Sequence, residues 1–160
     1  MDRNHIIVTI HGRVLCAEFP EETNICVKMN TSLGDNWSII SGDSVAISSF
    51  SFRGNDNQIN IDLPFEISLK STTPFYWPRL VFTCFSKDRS ENDSLKGYGC
   101  LFLPTMPGRH IQTIHCFLPE PSSTLQRIMA NLRGLNAEFA TIPLLPDLET
   151  TDNRMEPSTD

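Results

Sequence analysis

Short runs in which apolar and polar residues alternate recur along most of this sequence, and this pattern constrains the fold more than any other feature. In the segment LPFEISLK, the apolar side chains of Phe65, Ile67 and Leu69 alternate with polar ones. Because successive side chains of a β-strand point to opposite faces, this segment predicts a strand with one buried face. Turn-forming clusters such as SGD, RGNDN and TMPG separate the runs. Many short strands at roughly regular spacing predict an all-β fold, an antiparallel β-sandwich or barrel, rather than alternating strands and helices.

Further segments with β-branched and aromatic residues predict strands at 5–19, 24–30, 45–52, 79–85, 99–104 and 109–119. In the first of these, Gly12 stands where a bulge or bend is expected. In the second, alternation places Ile25, Val27 and Met29 on one face. The segment RLVFTCF is apolar on both faces, so we expect it to be a central strand that is covered on both sides.

One short amphipathic helix is predicted near the C-terminus, in PSSTLQRIMANLRG. Ser123 and Gln126 have the spacing of a capping box, and Gly134 follows the last turn. Its apolar residues fall on one stripe that would pack on the sheet. The segment 146–160 is polar and acidic and cannot bury much surface, so we expect a disordered acidic tail there.

Charge and composition weigh against several functional classes. The net charge of -6 and a pI of about 5.1 are atypical of nucleic-acid binding, which requires a basic patch. Thr9, His11 and Arg13 interrupt the first apolar run, which therefore does not resemble a signal peptide, and no segment has the ~18 apolar residues of a membrane span. The five cysteines form no CxxC pair, so we expect reduced core thiols in a cytosolic protein.

The segment GYGCLFLPTMPGRH is rich in glycine and could be either a phosphate-binding loop or a strand followed by a turn. A phosphate-binding loop leads directly into a helix whose N-terminus faces the anion, and a Walker motif ends in Gly-Lys-Ser/Thr. Here Gly97 and Gly99 lead into a predicted strand, and Pro107-Gly108 predicts a turn in which the glycine takes a positive φ. We therefore interpret this segment as a strand and a turn.

No other pattern indicates catalysis or a cofactor. The sequence has no GxSxG or HExxH motif, and His110 and His115 would point to opposite faces of their predicted strand. Aspartates in the predicted loops could contribute to a calcium site, which needs six to eight oxygen ligands, but single aspartates are also common turn residues. We predict no catalytic, cofactor-binding or metal-ligating residues.

The segment TPFYWPRL places large aromatic residues beside an arginine at the entrance to a predicted strand. Large aromatics and arginine are enriched in protein–protein interfaces. Trp77 could instead close one end of the core, and the sequence leaves both roles open. The candidate partner-binding residues are Tyr76, Trp77, Arg79, Arg109 and His110.

Three segments together resemble the B9 domain family: LPFEISLKSTTPFYWPRLVF, LKGYGCLFLPTMPGRH and CFLPEPSSTLQRI. The matching elements are lysine-serine-threonine with the following tryptophan-proline at 70–78, glycine-tyrosine-glycine at 97–99, and proline-glycine-arginine-histidine at 107–110. The resemblance covers roughly residues 6–139. It implies a C2-like β-sandwich without the full calcium ligand set.

The same resemblance implies a non-catalytic scaffold at the ciliary transition zone. Its expected partners are other B9-domain proteins and tectonic-type and Meckel-syndrome-type membrane proteins. Together these would act in ciliogenesis, in the barrier that restricts entry of ciliary membrane proteins, and in Hedgehog signalling. The expected location is cytoplasmic, at the cilium base, which includes the transition zone and basal body. The alternative is a C2-like module that binds membranes through lipid or calcium.

The resemblance also suggests domain boundaries. In the family a strand-rich segment follows the helix and closes the sandwich, whereas here the segment after the helix contains only FATIPLL as a candidate strand. We therefore expect residues 1–145 to form a B9 domain that lacks its closing strand, followed by the tail at 146–160. A missing strand would leave unpaired backbone groups along one sheet edge.

Overall fold

The computed structural model describes residues 4–118, and these residues form an all-β unit. Its strands in chain order are β1 Ile6–Glu18, β2 Asn24–Ser32, β3 Trp37–Gly42, β4 Val45–Ile47, β5 Ser51–Phe52, β6 Gln58–Ser71, β7 Arg79–Lys87 and β8 Asp93–Phe102. The helix predicted at 121–134 and the tail predicted at 146–160 lie outside the described residues, and the domain boundary at 145 stays a prediction.

The strands form two antiparallel sheets. One has the order β1-β6-β3, and the other has the order β4-β2-β7-β8, with β5 also pairing with β2. The prediction of an all-β antiparallel fold is confirmed for this part of the chain. The central position predicted for 79–85 is also confirmed, because β7 lies between β2 and β8 and the adjacent residues Val81 and Phe82 are both buried.

Side chains from both sheets share one hydrophobic core. Ile25, Val27 and Met29 of β2 all belong to it, as their alternation predicts. From the other sheet, Ile67 and Leu69 of β6 are fully buried in the same cluster. Burial of large aliphatic side chains contributes roughly 1.5–3 kcal/mol each, so this shared cluster is the main stabilising element of the described unit.

The bulge predicted at Gly12 lies elsewhere. The register between β1 and β6 shifts between Val14 and Cys16, whereas Gly12 pairs regularly with Phe65. A Cβ atom on Gly12 would lie only 2.1 Å from Cζ of Phe65, so the aromatic ring occupies the space above the glycine. Gly12 is therefore explained by the packing of a cross-strand ring rather than by a bend.

The single strand predicted at 45–52 is two short strands, β4 and β5, which both pair with β2. Between them, the N–H of Val27 donates to the side-chain Oγ of Ser48 at 2.9 Å. The thiol of Cys26 also donates to the backbone oxygen of Ser48 at 3.2 Å. A serine hydroxyl can replace a backbone acceptor in this way, and here it interrupts the ladder.

The strand predicted at 109–119 is absent from its described part, 109–118, apart from an isolated bridge between Tyr98 and Phe117. His110 and His115 are therefore not on opposite faces of a strand. Ile114 packs against the core. It also lies close to Gly99, because a Cβ on Gly99 would be 2.7 Å from Cγ2 of Ile114. The segment thus fills the space that the glycines of β8 leave open, instead of extending the sheet.

The five cysteines are all free thiols, but they are not all in the core. Cys26 and Cys84 are buried, whereas Cys16 and Cys116 are exposed, which corrects the expectation for these two. Cys16 lies at the register shift of β1.

A hydrogen bond with Cys116, together with burial, raises the pKa of the Cys84 thiol, and the same hydrogen bond lowers the pKa of Cys116.

An ion pair joins strand β8 to the connection that follows β1. Nζ of Lys96 lies 2.8 Å from Oε1 of Glu22. Burial raises the pKa of Glu22, but hydrogen bonds with Lys96 and Ser86 and the charges of Lys96 and Arg53 outweigh it, so the pKa is lowered from 4.5. A carboxyl whose pKa is lower in the folded state stabilises the fold above its unfolded pKa, and this stabilisation is lost as the pH falls through the folded pKa.

We therefore expect the free energy of unfolding to fall more steeply between about pH 5 and pH 3 in the native protein than in a Glu22→Gln variant. Urea unfolding followed at several pH values in this range measures both slopes. Parallel slopes for the two proteins would contradict the assignment of this carboxyl.

Candidate partner-binding surface

The candidate partner-binding residues lie in two segments. Tyr76 and Trp77 are in the connection between β6 and β7, and Arg79 is the first residue of β7. Arg109 and His110 follow β8. Whether they bind a partner stays a prediction, but their placement shows which of them share a surface.

Three contacts join the two segments. The indole Nε1–H of Trp77 donates to the backbone oxygen of Leu103 at 2.7 Å, and the N–H of Leu103 donates to the oxygen of Pro78 at 3.0 Å. The guanidinium carbon of Arg79 lies 5.8 Å from the ring centroid of Phe102, within cation–π range. The connection before β7 and the segment after β8 therefore lie side by side at one end of the sheet.

Trp77 has a packing role at this end of the core. Its ring lies edge-to-face with that of Trp37, with centroids 5.2 Å apart and an interplanar angle of 82°. Trp37 is 6% exposed and donates its own Nε1–H to the backbone oxygen of Phe75 at 3.0 Å. The two indoles thus hold the backbones of both segments, so Trp77 packs at this end of the core, and its role in partner binding stays a prediction.

Tyr76 differs from its neighbour because it projects into solvent, with 76% of its surface exposed. Its φ of 53° lies in the left-handed region, which is uncommon for residues other than glycine. Gly34 makes this conformation possible: a Cβ on Gly34 would lie 2.3 Å from the Cβ of Tyr76. Strained backbone of this kind persists only where the surroundings impose it, and it is concentrated at functional sites.

The segment after β8 presents Met106, which is 72% exposed. His110 contacts the backbone oxygen of Met106 through Nε2 at 2.8 Å. Gly108 has a φ of 131° and lies in a bend at 105–108, so the positive φ predicted for this glycine is confirmed. Gly97 and Gly99 pair with β7, as expected if the glycine-rich segment starts as a strand.

We call four exposed apolar side chains of these joined segments, together with the half-buried Arg79, the two-loop surface: Phe75, Tyr76, Arg79, Phe102 and Met106. Exposed aromatic side chains beside an arginine are typical of protein-binding surfaces.

Sequence reasoning missed Phe102 and Met106 as members of this surface. A signal existed for Phe102, because it stands between Leu101 and Leu103, which both pack against the core. Alternation along a strand then directs Phe102 outward. Met106 had no such signal, because the conformation of a bend does not follow from alternation.

One of the loop aspartates, Asp88, has a structural role. Oδ1 of Asp88 accepts hydrogen bonds from the N–H groups of Ser90 and Asn92 at 2.7 and 3.0 Å, which lowers its pKa. This aspartate stabilises the turn between β7 and β8.

Within residues 4–118, no three His, Cys, Asp or Glu side chains come close enough together to hold a metal ion. The same residues include no helix with the length and apolarity needed to cross a membrane.

Comparison with known proteins gives the chain its relatives. The sequence model of a family described as "Ciliary basal body-associated, B9 protein" matches residues 8–159. The chain is 36% identical over 135 residues to B9 domain-containing protein 1 of Xenopus laevis, covering 83% of this chain and 68% of that protein. It is 33% identical over 135 residues to the Mus musculus protein of the same name, covering 83% and 66%.

A more distant similarity extends to B9 domain-containing protein 2 of Drosophila melanogaster, with 23% identity over 138 residues that cover 86% of this chain and 78% of that protein. The chain thus spans about two thirds of the length of the vertebrate relatives it matches. No solved structure matches it.

Proposed function

We propose that this chain, which belongs to the B9 family of ciliary basal body-associated proteins and is a protein of the cilium base, is a non-catalytic interaction module. In this proposal it acts in a complex of the ciliary transition zone. Its partners in this proposal are other B9-domain proteins and membrane proteins of the tectonic and Meckel-syndrome types. The complex would support ciliogenesis, restrict the entry of membrane proteins into the cilium and act in Hedgehog signalling. The two antiparallel sheets around a shared core are consistent with a C2-like sandwich.

The two-loop surface is the observation that carries this proposal. Phe75, Tyr76 and Met106 are each at least 69% exposed, so the described unit does not use their apolar surface for its own packing. Removing apolar surface from water contributes roughly 25 cal/mol per Å², which makes such side chains suitable anchors for a partner. Because Trp37 and Trp77 hold the backbone beneath them, the surface is preorganised, which reduces the entropy lost on binding.

We expect Tyr76→Ala to weaken binding to a second B9-domain protein at least about tenfold, with little change in stability, because exposed aromatic anchors contribute more than 1 kcal/mol to binding when they are hot spots. Phe52→Ala is the matched control, since Phe52 is 73% exposed but lies on β5. Isothermal titration calorimetry measures affinity, and thermal unfolding verifies the fold of both variants. Equal effects of the two substitutions, or none from Tyr76→Ala, would contradict the proposed surface.

A C2-like membrane-binding module is the second candidate, because aromatic and basic side chains at one end of a β-sandwich also suit a lipid interface. Arg79 beside Phe102 is the observation that favours it. Flotation with anionic vesicles, with and without calcium, separates the two functions. Binding to vesicles that Tyr76→Ala abolishes would favour the membrane function over the protein partner.

A further inference from the structure

Strand β1 forms an edge of the three-stranded sheet. It pairs with β6 in a continuous register from Ile6 opposite Ser71 to Val14 opposite Leu63, before the register shifts. Among residues 4–118, β6 is the one strand that pairs with β1. A long, regular edge without proline or an inward-pointing charge exposes backbone N–H and C=O groups that can pair with a further strand.

Along this edge, the core-facing side chains of β1 are only partly buried. Val8 and Ile10 point towards the core from β1 but are only partly buried, whereas their partners in β6, Leu69 and Ile67, are fully buried. The difference between adjacent strands of one sheet indicates that no strand within residues 4–118 covers the apolar surface on the outer side of β1. An added strand with an apolar residue at every second position would cover it.

We propose that β1 of a second copy of this chain adds to this edge in antiparallel orientation, with Ile10 opposite Ile10 on the twofold axis. This register places Ile6 opposite Val14 of the second copy and Val8 opposite Gly12. Every core-facing residue then meets a core-facing residue, which a one-residue slip would prevent. The result is a continuous sheet through both copies, with the self-complementary interface of a twofold dimer.

The outward-facing residues are compatible with the same register. Ile7 lies opposite Arg13 of the second copy, and Thr9 lies opposite His11. No two like charges meet, and Nη1 of Arg13 lies 2.9 Å from Oδ1 of Asp62. Like charges directly opposite each other would destabilise such a pair.

The other edges fit this role less well. Strand β3 has 6 residues, with a register shift between Ile39 and Ser41, and β4 has 3 residues. Strand β8 is already bridged at Tyr98 by Phe117 and has a register shift in its pairing with β7. Short and irregular edges resist pairing with another chain. The regular part of β1 is therefore the edge that the proposal depends on, and it is separate from the two-loop surface and from the proposed function.

Ile7 allows a matched pair of substitutions, because it is 63% exposed and lies opposite Arg13 of the second copy. Ile7→Lys places two like-charged pairs across the twofold axis, whereas Ile7→Glu places two opposite-charged pairs there. We expect the dimer dissociation constant of Ile7→Lys to be about tenfold higher than that of Ile7→Glu. Sedimentation equilibrium of the full chain measures both constants, and thermal unfolding at low protein concentration verifies that both variants fold.

Amide hydrogen exchange gives a second measurement that does not depend on any substitution. In the dimer, the amides of β1 that point away from β6 become protected, and their protection increases with protein concentration. A monomer at all accessible concentrations would overturn the proposal, and so would equal dissociation constants for the two variants. Protection of these amides that is independent of concentration would also overturn it, because a strand of the same chain would then occupy the edge.

Discussion

Replacing Trp77 with alanine is expected to lower the free energy of unfolding by about 3 kcal/mol, the lower end of the range for large aromatic residues in a core. The substitution removes the edge-to-face contact with Trp37. It also removes the indole N–H that satisfies the backbone oxygen of Leu103, a residue that is 2% exposed. Because this hydrogen bond joins the two segments, the two-loop surface is expected to lose its order at the same time.

Two neighbouring substitutions separate these contributions. Trp77→Phe keeps much of the aromatic packing but removes the hydrogen bond, so we expect a loss of about 1 kcal/mol. Tyr76→Ala removes an exposed side chain, and its effect on stability should remain within about 0.5 kcal/mol. Urea unfolding of the three variants measures this order. If Trp77→Ala abolished partner binding without lowering stability, Trp77 would be an interface residue and its packing role would be minor.

Sequence patterns predicted those strands whose side chains alternate between core and solvent. Ile67 and Leu69 alternate with polar residues, and both are fully buried. The continuous apolar run of β7 likewise predicted a central strand. These predictions succeed because the alternation that buries one face of a strand is visible in consecutive residues of the sequence.

Predictions failed where a distant residue determines the local structure. Ser48 interrupts the strand at 45–52 by accepting a hydrogen bond from Val27, which lies in another strand. The segment after β8 contains β-branched residues, yet Ile114 packs beside Gly99 instead of extending the sheet. Neither contact has a signature in the local sequence, because each depends on the registration of segments that are far apart in the chain.

The candidate surface shows the same limit. Its aromatic and basic composition in TPFYWPRL was visible from the sequence, and so was the choice between interface and core for Trp77. The packing role of Trp77 depends on Trp37, whose ring meets that of Trp77. The exposure of Tyr76 depends in turn on Gly34, so the roles of these neighbours could not be separated without the fold.

Gly34→Ala is expected to destabilise the protein by about 2 kcal/mol and to weaken partner binding, although the new side chain is a single methyl group. That methyl carbon would lie 2.3 Å from Cβ of Tyr76 and 3.2 Å from its backbone oxygen, so the backbone of the connection must move. The backbone oxygen of Gly34 also accepts a hydrogen bond from the backbone N–H of Trp37. The indole N–H of Trp37 in turn donates to the backbone oxygen of Phe75. A shift at this position therefore reaches the contacts that order the two-loop surface.

Gly54→Ala is the matched control, because a Cβ at Gly54 would have no atom within 4 Å. Glycine-to-alanine changes at unstrained positions stabilise proteins by about 0.4–1 kcal/mol, so this control should be neutral or slightly stabilising. Adding Tyr76→Gly to Gly34→Ala removes the colliding Cβ and suits the positive φ at position 76, so the double variant should recover stability without recovering partner binding. Urea unfolding and calorimetric titration of these three variants and of Tyr76→Gly alone measure both quantities. Additive losses in the double variant would show that Gly34 and Tyr76 act independently and that the close approach of their backbones does not shape the surface.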